Sequence, residues 1–324
     1  MAEHPIDPSS GMQSSSSSRR GFLQQAAVVT TGIAVLPAAA AAAERPFKGD
    51  ALPSVALGAH RVSRLIIGGN PIYGYSHFNR LFSQHQTDWH TPEHVVELLL
   101  RCEECGLNTW QNSYAERTLS DLDRYRKQGG SMNWLCLGKP DWDEHPDHID
   151  HAARSKPIGI APHGALGEKL HRQKKHDVLT GLLKRIRDQG VLVGLSAHDP
   201  RLIETAEEKG WDVDYYMCCL YYLTRPKDEL RRILGPDLPL GEIYLPSDPP
   251  RMFKTIQATR KPCLVYKVLA AGRRVGNPVE VRRCFAEAFA NIKPVDAVIV
   301  GMYQQLGDQV GENAAIVRSL CSKA

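Results

Sequence analysis

The chain has 324 residues, a formal net charge of +4 and 42% hydrophobic residues. About 280 residues follow the first 43, enough for one large domain with a sizeable core. No basic block lies outside the first 43 residues, so the electrostatic footprint of a nucleic-acid partner is missing. After residue 43 no apolar run is long enough to span a bilayer, and no permanent membrane span is expected.

The motif SRRGFLQ at 18–24 precedes an uncharged, Ala-rich run over 26–43. A charged start, an apolar middle and Ala-rich cleavage candidates form the pattern of an export signal. The pair Arg19 and Arg20, with Phe22 and Leu23, resembles the twin-arginine type. Pro37 interrupts the run, which makes it a poor permanent anchor. The expectation is a signal peptide over 1–43, the twin-arginine export machinery as a partner, and a periplasmic or other extracytoplasmic destination. That route carries folded proteins, so a cofactor can be loaded before export.

The eight cysteines are scattered. No CxxC pair recurs, which argues against a zinc ribbon. Cys136, Cys218, Cys219 and Cys263 lie in apolar runs and read as buried free thiols, although an oxidising compartment permits a disulfide.

Residues 44–60 read as a linker. Short apolar runs and helical patterns then alternate to the end of the chain. Strands are predicted over 65–69, 107–111, 134–138, 158–161, 191–196, 213–220, 263–269 and 297–300. Between them a helix is predicted with Thr91 as its cap, Pro92 at its first position and Val95, Leu98, Leu99 and Cys102 at helical spacing, and further helices over 115–127, 146–154, 175–189, 201–209, 251–259, 278–291 and 305–320. Residues 70–90 read as a long polar and aromatic loop, a lid or a plug on the rim, and 224–250 as an irregular Pro-rich insertion. Eight strands flanked by helices must run parallel and close into a (β/α)8 TIM barrel, a single domain over 61–324. An open doubly wound sheet would need a glycine-rich first loop, and GGNP at 68–71 is not that fingerprint.

In such barrels the chemistry sits at the carboxyl ends of the strands. Those ends carry Asn70, Gln111, Lys139, His163, Ser196 with His198, Tyr221, Lys267 and Gly301. The stretch VLVGLSAHDP at 191–200 and the stretch PIGIAPHG at 157–164 share one plan, an apolar run ending on a histidine. Parallel neighbours would bring His163 and His198 to one end of one sheet. Each histidine reads either as a proton carrier or as a backbone cap. Asp199 before Pro200 reads at least in part as a helix start. Lys267 sits in the run CLVYKVL, so its ammonium must reach a partner or water at the barrel mouth. A lysine with its pKa lowered by burial serves as a base or a Schiff-base former. Carboxylates are thin, with only Glu168 and Asp199 nearby, so a hard catalytic metal is not expected. His145, His148 and His151 fall at three-residue spacing and read as a solvated helix face.

Several pieces resemble the aldo-keto reductase superfamily. RVSRLIIGG at 61–69 is similar to its first strand, CGLNT at 105–109 to its second, VGLS at 193–196 to its fifth, VDYY at 213–216 to its sixth and LAAG at 269–272 to its seventh. Val300 and Gly301, with Glu312 and Asn313, resemble its closing cofactor segment. The resemblance implies a TIM barrel that reduces a carbonyl with NADPH. It places His163 at the catalytic histidine, Lys139 at the lysine and Ser196 at the residue holding the nicotinamide amide. It makes Gly301 and Asn313 cofactor contacts; Asn70 and Gln111, read from the strand ends, are expected to touch substrate. The chain departs from the pattern in several places. Gln111 stands where the supporting aspartate belongs, Glu116 stands in the tyrosine slot with Tyr114 two residues early, and Ala197 replaces the usual asparagine. The stretch directly after Gly301 is longer and has no basic residue to meet a 2′-phosphate.

Three functions follow as expectations. The first is an exported aldo-keto reductase-like oxidoreductase acting on a small, sugar-derived carbonyl with His163, Lys139 and Tyr114. The second is a cofactor-free lyase or isomerase on a sugar or hydroxy-carbonyl compound, with His163 and His198 moving protons and Lys267 stabilising an enolate. The third is a non-catalytic ligand-binding barrel.

Overall fold

β-branched and aromatic runs that are apolar on both sides form strands buried on both faces, and in this chain eight of them close on one another. In the computed structural model, which describes residues 51–321, these strands are β3 (Leu65–Gly68), β4 (Thr109–Ser113), β5 (Asn133–Leu137), β6 (Gly159–Ala161), β7 (Leu192–Ala197), β8 (Tyr215–Cys219), β9 (Cys263–Tyr266) and β10 (Ala297–Gly301). They pair in parallel and in chain order, and β10 returns to β3, which makes a closed TIM barrel. All described residues belong to one unit, Glu44–Ala324. The export-signal segment 1–43 lies outside the described residues.

The barrel interior and the surrounding shell are separate apolar clusters. Ile66, Leu135, Ala161, Tyr215, Met217, Leu264, Ala297 and Ile299 fill the inside. Alternate residues of the same strands, such as Trp110, Trp134, Ile160, Val193 and Val265, pack outward under the helices. The Tyr215 ring fits because Gly159 and Gly194 face it. A Cβ on Gly194 would sit 2.4 Å from its Cζ.

Eleven α-helices surround the strands among the described residues, against the eight expected. α2 (Pro92–Glu104) starts as its sequence dictates, with Pro92 in the first turn and the Thr91 side chain accepting from the His94 amide. α3 (Glu116–Lys127), α4 (His148–Arg154), α7 (Pro200–Glu208), α10 (Pro278–Asn291) and α11 (Gln309–Cys321) fall near their predicted places. In α6 (His176–Asp188) the buried side chains are Leu179, Leu182, Leu183 and Ile186, one stripe at helical spacing. Each such burial contributes about 2 kcal/mol.

The structure corrects four expectations. The supposed linker contains an antiparallel hairpin, β1 (Ser54–Leu57) and β2 (His60–Ser63), turning through Gly58 at φ +58°. Its alternating Val55, Leu57 and Val62 pack onto the interior cluster and close the amino-terminal end of the barrel. The lid loop contains α1 (Arg80–Trp89), a helix capped by Asn79 in which only Gln86 is buried. α5 (Gly164–Arg172) follows β6 directly; its two glycines hide a stripe formed by Leu166 and Leu170. The insertion holds α8 (Lys227–Leu234), a polar helix with no buried residue, and the next helix, α9 (Asp248–Ala258), starts three residues earlier than expected. All eight cysteines are free, seven of them buried.

Candidate functional site

The carboxyl ends of β6, β7 and β9 bring three of the expected residues into mutual influence. His163 follows β6 and is the N-cap of α5; its Nδ1 accepts from the Ala165 amide at 3.2 Å. Burial, reinforced by the nearby His198 and Lys267 and opposed by Glu168, pushes its pKa down to about 4. The ring is therefore neutral at pH 7, with Nε2 left to exchange a proton. His198 follows β7, its ring edge-on to Tyr266 with centroids 5.8 Å apart.

Glu168 holds this corner together. Its Oε1 accepts from the backbone amides of His198 and Asp199, and its Oε2 accepts from the Thr224 hydroxyl. One carboxylate on α5 thus ties the loop after β7 to the start of the insertion. Burial pushes its pKa up, but hydrogen bonds and charge from His198, with those from Thr224 and Asp199, outweigh that and hold it below the ordinary value. It stays a charged acceptor. His198 Nδ1 lies 3.3 Å from Oε1 yet makes no aligned hydrogen bond.

Lys267 follows β9 with φ +63°, a left-handed conformation uncommon for a side-chain-bearing residue. Burial lowers its pKa; the charges of Cys219 and Glu242 oppose this and Arg273 adds to it. Some of its surface still meets solvent. Its Nζ lies 2.8 Å from His77 Nε2, and His77 Nδ1 meets Glu242 Oε1 at 2.7 Å. Asn70 Nδ2 also reaches His77 Nε2, at 3.0 Å. Arg273 donates to the His77 carbonyl at 2.8 Å and lies over the rings of Phe78 and Tyr244. Tyr244 donates to the second oxygen of Glu242. The lid loop, the insertion and the loop after β9 therefore meet over one lysine.

The remaining expected residues are placed elsewhere. Tyr114 packs against Trp142 and His148, at centroid distances of 6.0 and 5.5 Å. Lys139 Nζ lies 5.7 Å over its ring. Burial, then the charges of Cys136 and Glu116, raise the Tyr114 pKa. Gln111 is buried in β4. Ser196 is buried at the top of β7, 3.3 Å from the Tyr266 hydroxyl. Gly301 ends β10 with Pro71 against it; a Cβ there would sit 2.5 Å from the proline ring. Asn313 is buried on α11. Tyr221 is buried with its ring 4.9 Å from that of Tyr244. The rings of His145, His148 and His151 line up along the start of α4, and no group of three or more metal-ligating side chains is found among the described residues.

Residues 302–311 contain no lysine or arginine, and their one charge is Asp308, paired with Arg101 at 2.6 Å.

Beside the mouth, a cavity of about 180 Å³ is lined by His198, Arg201, Cys219, Tyr222, Arg225 and Asp248, among others. Its charges balance internally. Arg201 pairs with Asp199, and Arg225 pairs with Asp248 at 2.5 Å. Arg225 Nη1 is buried without a partner.

His77, Glu242 and Arg273 escape a reading of strand ends, because they come from irregular segments. The only local signal is the polar and aromatic richness of the lid loop.

No family model matches the chain, and no curated protein matches it. Among solved structures, Gox0644 in its apo form aligns with a TM-score of 0.50 at 10% identity, covering 84% of this chain and 94% of that one. A truncated 3-deoxy-D-arabino-heptulosonate 7-phosphate synthase from Thermotoga maritima aligns with a TM-score of 0.47 at 14% identity, covering 84% and 91%. At these identities the likeness is one of fold.

Proposed function

We propose that this barrel is a lyase or isomerase acting by proton transfer on a neutral hydroxy-carbonyl compound of sugar type, without a nucleotide. The observation that carries this is the grouping of His163 with His198 and Lys267 at the carboxyl ends of β6, β7 and β9. His198, whose Nδ1 is unpartnered, removes a proton beside the carbonyl, and neutral His163, with Nδ1 accepting from Ala165 and the ring proton therefore on Nε2, returns one. Lys267 holds the electron density that develops on the carbonyl side. The charge-balanced cavity beside His198 suits hydroxyl groups better than a phosphate, and the free Arg225 Nη1 offers them a donor. The twin-arginine motif at 18–24 supports export as part of the same proposal.

Solvent deuterium exchange into a panel of aldoses, ketoses and small hydroxy-ketones tests this reading. Exchange that needs no added nucleotide and falls in His163→Ala is the expected result. No exchange across the panel sinks it.

The hydride-transfer reading, with NADPH at Ser196, rests on that buried serine at the top of β7 and on the resemblance of the strands. Residues 302–311, directly after β10, bring it no lysine or arginine. Titrating the protein with NADPH and watching nucleotide fluorescence separates the two.

A further inference from the structure

Glu242, His77 and Lys267 stand in line. Glu242 Oε1 is 2.7 Å from His77 Nδ1, and His77 Nε2 is 2.8 Å from Lys267 Nζ. An amide nitrogen and an ammonium both donate, so Asn70 and Lys267 leave the Nε2 lone pair as acceptor and put the ring proton on Nδ1, towards the carboxylate. Carboxylate, imidazole and nucleophile in this order form the arrangement that activates a serine or cysteine in other enzymes. The group is braced from outside by Arg273 on the His77 carbonyl and by Tyr244 on Glu242. These bonds join segments 165 and 190 residues apart in sequence.

We propose that Glu242, His77 and Lys267 form a proton relay that frees the Lys267 amine to attack the substrate carbonyl, so that the substrate is processed as an imine. The inference rests on the proton-transfer reading above and names the covalent form of its electron sink. His77 Nε2 first accepts one proton from the Lys267 ammonium, the freed Nζ lone pair forms the C–N bond as the carbonyl π bond breaks, and a second Nζ proton passes to the carbonyl oxygen to make a hydroxyl. That hydroxyl leaves as water with the proton returned by His77, and the C=N bond forms. Hydrolysis reverses these steps, so no oxidant or reductant is consumed. Glu242 reaches the amine only through His77 and is a positioning residue.

The amine's environment supports this independently. Burial favours the neutral amine. The groups facing it are His77, Glu242, Cys219, Arg273, Tyr266 and His163.

The test is reductive trapping on the full-length protein with glycolaldehyde and cyanoborohydride, followed by peptide mass spectrometry. Lys267 should be labelled at least about tenfold faster than the exposed Lys254. Equal rates at the two lysines overturn the proposal with no variant required. His77→Gln should slow Lys267 labelling by about a hundredfold while Lys254 is unaffected. In Glu242→Gln the plateau rate should fall, yet the acid limb of the pH profile should move to lower pH, because the carboxylate charge that raises the Lys267 pKa is gone. A fall in rate with no movement of that limb overturns the relay. Deuterium exchange without trapping at Lys267 overturns the imine and leaves the proton-transfer reading standing. Trapping without exchange supports the imine and removes the isomerase.

Discussion

His77 and Lys267 are both held in left-handed backbone conformations, at φ 60° and 63°, and their side chains meet at 2.8 Å. Two uncommon conformations at the two ends of one hydrogen bond show that the surrounding loops, and not local preference, set both residues. Asparagine tolerates the left-handed region better than most side chains. His77→Asn should therefore leave the free energy of unfolding, measured in urea, within about 1 kcal/mol of the parent, while the link to Lys267 is lost. A variant that fails to fold would show that the histidine holds the loops and that the loops do not hold it.

The turn after β9 stores strain nearby without using it. Ala271 has φ 51° and ψ 44°, a conformation in which a Cβ is a burden. Ala271→Gly should raise stability by about 1 kcal/mol, measured by urea unfolding. A loss would mean that the wider unfolded ensemble of glycine outweighs the relief.

Inside the barrel, the Tyr215 hydroxyl is buried without a partner. Tyr215→Phe keeps the ring between Gly159 and Gly194 and should be neutral or stabilising by about 1 kcal/mol. Gly194→Ala puts a methyl against the same ring and should destabilise by about 1–3 kcal/mol. Thermal unfolding of both variants checks the pair together.

His90 and His163 are both pushed from 6.5 down to about 4, burial being the largest cause for each. The unfolded chain binds these protons more tightly than the folded one. Unfolding thus takes up protons between pH 6.5 and 4, and stability falls as the pH falls through that window. The two together account for roughly 2–5 kcal/mol. Denaturant titrations at pH 7 and pH 5 should show the loss, and His90→Gln should reduce it. An unchanged slope in that variant would mean that His90 does not contribute.

Glu168 accepts two backbone amides and the Thr224 hydroxyl in a buried position. Glu168→Gln replaces one acceptor oxygen with a donor and should destabilise by about 2 kcal/mol. Because the same oxygen orients the His198 loop, deuterium exchange should fall along with the melting temperature. Unchanged exchange would separate His198 from the chemistry.

The barrel was legible because apolar runs and helical stripes alternate from Leu65 to the end of the chain, and a parallel sheet has few other ways to bury such runs. His163, His198 and Lys267 were legible for the same reason, as polar residues ending apolar strands. His77 and Glu242 were not. Each lies in a segment without period, and only the tertiary fold brings them to Lys267. The hairpin at 54–63 was missed although Val55, Leu57 and Val62 alternate around Gly58, because two four-residue strands resemble a tether until something lies beneath them to bury. The Gly-rich start of α5 concealed a helix whose stripe has only two leucines.

That hairpin stoppers the floor of a barrel whose interior is already filled by side chains. On the proposed reading, traffic then has one side to use: substrate would arrive and product leave across the rim between the lid loop and the insertion, and the two would compete for one seat.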